Sequence, residues 1–396
     1  MDREELLKEA EDHIFSTGLG DSGSKLCRYN MRYGLAKIHY WQREAGFFPL
    51  ATFIATPDMT ITRNTTRWMS GFGYGGKISW GEGKDEVIIL DTKPNACGML
   101  VGGLEKFPDE KTLLERINKF QNTPHKIDGI EIKWDFSKGN HFIDIFSVKP
   151  RREVKLLPYI FIIHSSATEL KEKSPRGWGL YWDRSPLLME AARKVNTPFG
   201  LLYLLEGEKA RRYFELYQLA DDFSRKKREF VAERLFGEFE VIFNENHQRL
   251  LNFNEILLGC HYIDDLNKLY PLTLRSDLPA YLLKGKPNLR PEVIQALGFK
   301  ERATKLGVYD RLKNANIIPH GGGYTFPDLL EVEEIFEIEK KRFFKADVAN
   351  DRGKQIICDT RDIPYKYRGK EVLLKLMELN MAEIIAKLVP LYVVKV

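Results

Sequence analysis

The stretch Gly139-Asn-His-Phe-Ile-Asp-Ile-Phe146 places a turn directly before a strand. Glycine and asparagine are turn residues, and the largely apolar run after them is typical of a strand that is at least half buried. Other short runs that are apolar, or that alternate apolar with polar residues, are likewise bounded by Gly, Pro, Asn or Lys. The sequence therefore predicts strands at Phe48–Ala55, Glu86–Leu90, Gly129–Trp134, His141–Val148 and Leu157–His164.

Outside these runs the apolar spacing becomes helical. Over Glu208–Phe236, apolar residues from Tyr213 to Phe223 recur at the three- and four-residue intervals of an amphipathic helix. The same reasoning predicts helices at Lys111–Phe120, Arg290–Leu297, Asp328–Phe344 and Glu371–Leu388, with a closing strand at Leu391–Val396.

Strand-rich and helix-rich parts interleave along the chain. This order favours one large α/β (α+β) domain over residues 1–396, with mixed β-sheets flanked by helices and a mainly helical segment at 205–255. A chain of 396 residues, 43% of them hydrophobic, can bury a large core.

Composition excludes several classes of protein. No stretch approaches the roughly 18 apolar residues of a membrane span, and Met1–Glu5 does not resemble a signal peptide. The four cysteines lie far apart without a CxxC pair, so we expect a cytoplasmic, reduced protein without disulfides. The net charge of +5 is compatible with a polyanionic partner without requiring one.

The segment Ile318-Pro-His-Gly-Gly-Gly-Tyr324 combines an imidazole with three glycines. Glycine permits a positive φ and close approach, so the N–H groups of Gly321 and Gly322 can form an anion-binding nest beside His320. Histidine can attack phosphorus or bind a metal. An ordinary glycine-rich turn is the alternative reading of the same residues.

Thiolate and imidazole groups at strand ends are the ingredients of a transition-metal site. No pair has a local ligand spacing, so tertiary structure would have to assemble such a site, and each histidine taken singly also fits a structural role. We interpret His13, His39, His125 and His247 as structural. The candidate ligands are Cys97, His141, His164 and His261.

The run Arg225-Lys-Lys-Arg228 lies in the second half of the long predicted helix. Such a run usually forms a solvated helix face, and a nucleic-acid surface is the second interpretation.

Short motifs also follow one another along the chain. They are Thr56-Pro-Asp58, Gly75-Gly76, Asn95-Ala-Cys-Gly-Met99, Gly139-Asn-His-Phe-Ile-Asp144, Ile163-His-Ser165, Cys260-His261, His320-Gly-Gly-Gly323, Asp362-Ile-Pro-Tyr-Lys366 and Leu388-Val-Pro-Leu-Tyr-Val-Val-Lys395. In this order they resemble the RtcB family of RNA-splicing ligases.

The resemblance implies that His320 takes GMP from GTP as a covalent guanylate and that Cys97, His141, His164 and His261 bind Mn²⁺. It also implies nucleotide contacts by Asn140, Asp144, Ser276, Gly321, Gly322 and Lys395.

The activity implied by the resemblance is the joining of RNA 2′,3′-cyclic phosphate or 3′-phosphate ends to 5′-hydroxyl ends, as in tRNA splicing and RNA repair. The expected partners are RNA and GTP, and the protein is expected to be a monomer away from membranes. Whether it needs an activating protein partner stays open. Zn²⁺ is the alternative metal, because one thiolate among imidazoles suits it in ligand softness.

The chain departs from the family pattern at several positions. Pro94 replaces a metal-binding aspartate, for which Asp91, Asn95 or Asp58 could compensate, and Tyr324 replaces an arginine. Arg176 could supply another arginine of the family after an insertion. Two alternatives to ligation therefore remain: a metal-dependent paralog that processes phosphate ends or nucleotides, and a non-enzymatic RNA-binding protein on the same fold.

Overall fold

Helices enclose a pair of β-sheets in the computed structural model, which describes residues 2–136, 139–151, 154–339, 341–349 and 353–396. Three short 3₁₀ turns lie at Leu90–Thr92, Thr168–Leu170 and Thr360–Asp362. The α-helices of the described residues are α1 Arg3–Asp12, α2 Ser22–Glu44, α3 Thr65–Ser70, α4 Glu110–Gln121, α5 Pro186–Ala191, α6 Gly207–Phe236, α7 Pro291–Ala296, α8 Lys300–Lys305, α9 Tyr309–Lys313 and α10 Glu371–Glu378.

The strands form one seven-stranded antiparallel sheet, one five-stranded mixed sheet and several small ribbons. They are β1 Ile14–Ser16, β2 Thr52–Thr60, β3 Tyr74–Ser79, β4 Val87–Ile89, β5 Gly98–Leu104, β6 Lys126–Ile127, β7 Ile130–Glu131, β8 Phe142–Pro150, β9 Tyr159–Ser165, β10 Arg193–Thr197, β11 Gly200–Glu206, β12 Glu240–Asn246, β13 Leu250–Asn252, β14 Glu255–Leu258, β15 Cys260–Tyr262, β16 Leu269–Leu272, β17 Ala280–Gly285, β18 Ile317–Pro319, β19 Tyr324–Thr325, β20 Leu329–Ile338, β21 Lys341–Val348, β22 Lys354–Ile357, β23 Lys366–Tyr367 and β24 Ala382–Val394.

The seven-stranded sheet has the order β12-β5-β9-β8-β24-β17-β16, and the five-stranded sheet has the order β1-β2-β3-β14-β13. Side chains of β9 show how the layers pack, because successive residues of a strand face opposite sides. Ile160 and Ile162 share a core with Ile54 of the five-stranded sheet. Phe161 and Ile163 pack on the other side, in a core with residues of α4 and α6. The two sheets therefore face each other, with helices outside.

This architecture confirms the mixed α/β class expected from the sequence. Helix α6 matches the amphipathic prediction, and α4 and α7 match two of the others. The segment 205–255 holds α6 together with β12 and β13. None of the helices in the described ranges combines the length with the apolar character that crossing a bilayer requires.

Two predicted helices are wrong in whole or in part. The Asp328–Phe344 stretch forms the hairpin β20–β21, and its residue Lys340 lies outside the described residues. Register shifts in β20 break the two-residue alternation, which produced the helix-like spacing of its apolar residues. The predicted Glu371–Leu388 helix stops at Glu378, since Asn380 has a positive φ of 51°, and the chain continues as β24.

The sequence reading also missed α1 and α2 near the start of the chain. Helix α2 spans 23 residues, and most of its side chains are buried on more than one face. A helix buried on several sides lacks the polar face that makes amphipathic spacing visible.

Candidate active site

Three candidate ligands meet at one end of the seven-stranded sheet because of its antiparallel order. Cys97 directly precedes β5 and His141 directly precedes β8, whereas His164 lies near the end of the antiparallel strand β9 between them. His164 pairs with Met99 on one side and Phe142 on the other. In an antiparallel sheet the starts of β5 and β8 lie at the same edge as the end of β9, and this brings the three side chains together.

The ligand atoms of these residues lie at distances that suit a shared metal ion. Cys97 Sγ is 3.5 Å from His141 Nε2 and 3.0 Å from His164 Nε2. All three atoms lie within 4.8 Å of one another. The bond lengths of a tetrahedral Zn²⁺ site place a sulfur and a nitrogen ligand about 3.5 Å apart. The group therefore has the dimensions of part of a metal coordination shell.

Hydrogen bonds orient both imidazoles toward the cysteine. His164 Nδ1 lies 2.8 Å from the carbonyl oxygen of Asn140, and His141 Nδ1 lies 3.2 Å from Oδ2 of Asp135. A carbonyl and a carboxylate accept hydrogen bonds, so each Nδ1 carries a proton and each Nε2 points toward Cys97. This is the arrangement by which proteins prepare histidine for metal binding.

The surroundings of Cys97 favour its thiolate. Burial raises the pKa of the Cys97 thiol, but His164 and His141 outweigh burial and hold that pKa well below its usual range. A thiolate is the form in which cysteine binds metals. The preceding residue, Ala96, has a φ of 52°, an unusual conformation for alanine that turns the chain before β5.

A fourth group in this cluster is His247, which the sequence interpretation left as structural. His247 follows β12, and its backbone N–H donates to the carbonyl of Cys97 at 2.8 Å. Its Nε2 is 3.2 Å from His164 Nε2. One sequence signal was available: the pair Asn246-His247 at a strand end repeats the pair Asn140-His141 at a strand start.

His261 lies behind His247, with 5.8 Å between their ring centroids. Its Nε2–H donates to the carbonyl of Pro271 at 2.8 Å, and the residue is absent from the lining of the cavity described below. The structure therefore brings His247, rather than His261, next to the Cys97 group.

His320 faces the same cluster from the opposite wall. Its ring centroid is 4.2 Å from that of His247, and its Nδ1 is 3.0 Å from Oδ2 of the buried Asp58. Because a carboxylate accepts the hydrogen bond, Nδ1 carries the proton and Nε2 is left with a free lone pair. Gly259 makes room for the ring, since a Cβ there would lie 3.2 Å from His320 Cε1.

The glycine run is held in place by a buried arginine. Arg368 donates to the carbonyls of Gly322 and Asp58, at 3.3 and 3.2 Å, and forms an ion pair with Asp21 at 2.6 Å. A Cβ on Gly322 would lie 2.6 Å from the Arg368 carbonyl oxygen. Glycine is therefore required at this position for the backbone to pass so close to Arg368.

A cavity of about 550 Å³ is lined by Cys97, His141, His164, His247 and His320. Asn140, Ser276 and Lys395 line it too and are exposed, whereas Asp144 is 8% exposed and its Oδ1 has no hydrogen-bond partner among the described residues. Burial raises the pKa of Asp144 to about 7, against the smaller opposing effect of Lys395. The cavity thus joins the cysteine–histidine cluster, His320, Gly321, Gly322 and the predicted nucleotide-binding residues.

The residues considered as substitutes for the missing aspartate have other partners. Asp91 is buried against Lys37 at 3.4 Å, Asn95 Oδ1 accepts the N–H of Cys97 at 2.9 Å, and Asp58 holds His320. Arg176 forms an ion pair with Glu215 at the surface. The Cys97 group found among the described residues therefore contains sulfur and nitrogen donors without a carboxylate.

The basic run of α6 is largely internal. Lys227 and Arg228 are fully buried, Lys227 against Asp135 and Glu169. Arg225 and Lys226 form ion pairs with neighbouring carboxylates, Asp221 and Asp222 among them. The run is therefore neither a simple solvated face nor a free cationic surface for RNA.

Comparison with known proteins does not assign the chain to a family, because no family model and no curated protein matches it. What the residues establish is a largely buried Cys97-His141-His164 group that can bind a metal ion. Beside it lie a fourth imidazole and a histidine held by a carboxylate. The donor set fits a metal, because one sulfur and two imidazole nitrogens lie within 4.8 Å of one another.

Proposed function

We propose that this protein is an RtcB-like, GTP- and Mn²⁺-dependent RNA ligase of the cytoplasm. It would join 2′,3′-cyclic phosphate or 3′-phosphate ends to 5′-hydroxyl ends through a guanylate on His320. The observation that carries the proposal is the Asp58–His320 pair, which faces a metal-binding group across one cavity. The ordered motifs shared with that family supply the substrate class.

His320 is suited to be the nucleophile. Asp58 fixes the ring so that the Nε2 lone pair is free, and it stabilises the positive charge that the ring acquires when Nε2 bonds to phosphorus. The adjoining glycine backbone lets a phosphate approach without side-chain obstruction. The Gly321 N–H donates to Asp58 Oδ2 at 3.4 Å, so this group supports the orientation of the Asp58–His320 pair rather than a free anion nest.

Cys97, His141, His164 and His247 would hold the metal. When bound there, Mn²⁺ or Zn²⁺ supplies Lewis-acid neutralisation of phosphate charge. Asp135 and the Asn140 carbonyl keep the His141 and His164 rings in position through their Nδ1 atoms. The role of this part of the chain is therefore to preset the donor geometry.

The nucleotide would occupy the part of the cavity lined by Asn140, Asp144 and Lys395. A carboxylate there can accept hydrogen bonds from the N1 and amino groups of guanine, and Lys395 adds a positive charge. Asp144 Oδ1 is a buried acceptor without a partner among the described residues, which supports a ligand-binding role. Ser276 stands at the rim as a phosphate contact.

The reaction would proceed in balanced steps. His320 Nε2 attacks the α-phosphorus of GTP, and the bond to pyrophosphate breaks. An oxygen of the RNA 3′-phosphate then attacks the same phosphorus, which moves GMP to the RNA end and frees the imidazole. Finally the 5′-hydroxyl attacks the RNA 3′-phosphorus and GMP leaves. A 2′,3′-cyclic phosphate is first opened by water.

One observation favours a second candidate, a paralog that processes phosphate ends without ligation. Pro94 has no ligand atom in its side chain, and the Cys97 group lacks a carboxylate among the described residues. A soft donor set of this kind suits Zn²⁺ better than Mn²⁺. Such an enzyme would release phosphate and form no stable guanylate.

The test is to incubate metal-stripped protein with α-labelled GTP and either Mn²⁺ or Zn²⁺, and then to look for labelled protein after denaturation. We expect an acid-labile, alkali-stable label that ATP does not compete away and that His320→Ala abolishes. A label that persists in His320→Ala would remove the proposed role of this residue. Metal binding without any label, together with phosphate release, would favour the second candidate.

A further inference from the structure

Tyrosines cluster next to the glycine run. Tyr324 directly follows Gly323 and is the cross-strand partner of Tyr367 in the β19–β23 ribbon. Cross-strand partners point to the same face of a ribbon, and both residues line the cavity that holds His320. Tyr365 completes the cluster, with ring centroids 5.3 Å from Tyr324 and 5.9 Å from Tyr367.

An arginine extends this aromatic cluster. The Arg63 guanidinium lies 4.1 Å from the ring centroid of Tyr365, the distance of a stacked cation–π pair. The Nε of Arg63 is buried without a hydrogen-bond partner among the described residues, and residue Tyr365 is 38% exposed. The cluster thus continues from the cavity lining to solvent.

Aromatic rings and a stacked guanidinium are the groups that bind unpaired nucleobases, because every base offers a flat π-face. The ring planes of Tyr324, Tyr365 and Tyr367 are inclined by 54–82° to one another, so one base can stack on one ring while the others contact its edge. We propose that Tyr324, Tyr365, Tyr367 and Arg63 form such a stacking platform for the unpaired terminal base of a single-stranded RNA whose 3′-phosphate lies at His320. This inference rests on the proposed function, since it takes the phosphate position from it.

The base of GTP is a poorer occupant of the platform. Asp144 and Lys395, the hydrogen-bonding groups suited to guanine, belong to β8 and to the end of β24 in the seven-stranded sheet. The tyrosines belong to the separate β19–β23 ribbon. Tyr324 also stands where the resembling family has an arginine, so a charged phosphate contact is replaced by a surface for stacking.

A paired RNA end fits this platform less well, because its terminal base is held by its pairing partner and cannot be splayed out among the inclined rings. The structure therefore points to substrates with single-stranded 3′ ends. Stacking of one base on an aromatic side chain contributes roughly 1–3 kcal/mol, which corresponds to an affinity change of about 5- to 150-fold.

The experiment measures binding of a short single-stranded RNA with a 3′-phosphate and a 5′ fluorescein, by anisotropy. A second RNA has the same backbone with an abasic 3′-terminal ribose. Wild-type protein is expected to bind the abasic RNA about 5- to 150-fold more weakly. Tyr367→Leu and Tyr365→Leu are expected to lose most of this discrimination, whereas the matched Tyr367→Phe and Tyr365→Phe variants keep it.

Equal affinity of wild-type protein for the two RNAs would overturn the platform, and so would full discrimination in both leucine variants. The wild-type comparison changes only the RNA, so it stands even if a variant fails to fold. Guanylate formation on His320 is measured without RNA. A normal label without base discrimination refutes the platform alone, and discrimination without a label refutes the ligase mechanism alone.

Discussion

Two aspartates hold two histidines on opposite walls of the cavity, but their own surroundings differ. Asp135 contacts His141 Nδ1 through one oxygen and the buried Lys227 ammonium through the other, at 3.2 and 2.9 Å. Asp58 contacts His320 Nδ1 at 3.0 Å, and its other hydrogen bonds come from neutral donors, the Thr56 hydroxyl and the Gly321 N–H. Among the described residues, no lysine or arginine pairs with the Asp58 carboxylate.

This difference suits the two aspartates to different roles: Asp135 orients the His141 ring, and Asp58 activates the His320 ring. Asp135 divides its negative charge between His141 and Lys227, and Lys227 also contacts Glu169 at 2.9 Å. Burial lowers the pKa of His141, but Asp135 and Cys97 outweigh it and raise that pKa to about 9, so a metal that binds His141 has to displace a proton. Among the described residues, Asp58 has no lysine or arginine partner, so in the proposed mechanism it can stabilise the positive charge that the His320 ring acquires during phosphoryl transfer. In the proposed mechanism, Asp135 therefore positions a metal ligand and Asp58 supports the nucleophile.

The largest effect is expected for Asp58→Asn. The variant removes the charge that supports His320, so the rate of guanylate formation should fall roughly 10³–10⁴-fold at saturating metal. The measurement is the initial rate of protein labelling by α-labelled GTP.

Asp135→Asn is the matched control for that variant. It should weaken metal affinity about 10- to 100-fold, and excess metal should restore labelling. If excess metal also restores labelling of Asp58→Asn, the proposed difference between the two aspartates is wrong.

A smaller effect is expected for Lys227→Met. This change leaves Asp135 and Glu169 buried without the cation that lies 2.9 Å from each of them. The free energy of unfolding should fall by at least about 3 kcal/mol, measured by urea denaturation. Lys226→Met, at the adjacent exposed position, should leave the urea midpoint nearly unchanged. Equal midpoints for both variants would show that Asp135 does not depend on Lys227.

Asp144 extends the comparison to a third carboxylate, which has neither a lysine nor a histidine in hydrogen-bond contact among the described residues. Its pKa is about 7 in the folded protein because of burial, and about 3.9 in the unfolded chain. Between these values the folded state binds more protons, so stability falls as pH rises. Wild-type protein should lose about 2 kcal/mol between pH 5 and 7 that Asp144→Asn retains. The prediction is contradicted if the urea midpoints of wild-type protein and Asp144→Asn shift by the same amount between pH 5 and pH 7.

The sequence could predict those features that depend on residues close together in the chain. The strand ends at Cys97, His141 and His164 are visible as apolar runs beside turn residues, and an antiparallel sheet needs only short connections to bring such ends together. The long helix α6 follows from its apolar spacing. The mixed α/β class follows from the alternation of the two patterns along the chain.

The partners that give these residues their properties could not be predicted in this way. Asp58 and His320 are 262 positions apart, and Asp135 and Lys227 are 92 positions apart. No periodicity links residues at such distances, because tertiary packing alone sets their contact. The same limit applies to His247 and His261, since both end or follow apolar runs and only the packing of β12 beside β5 brings His247 to Cys97.

The cavity can be completed only late in folding, because strand β24 comes after the other six strands of its sheet in the chain. This strand fills the place between β8 and β17, although the chain from Pro150 to Ala382 separates it from β8. During synthesis, β8 and its metal-ligand end emerge from the ribosome long before this partner exists, and β8 has an open edge in the meantime. The sheet can close, and Lys395 can reach the cavity, only after residues 382–394 are available. A metal bound by Cys97, His141, His164 and His247 before that point would lie in a cavity that still lacks Lys395.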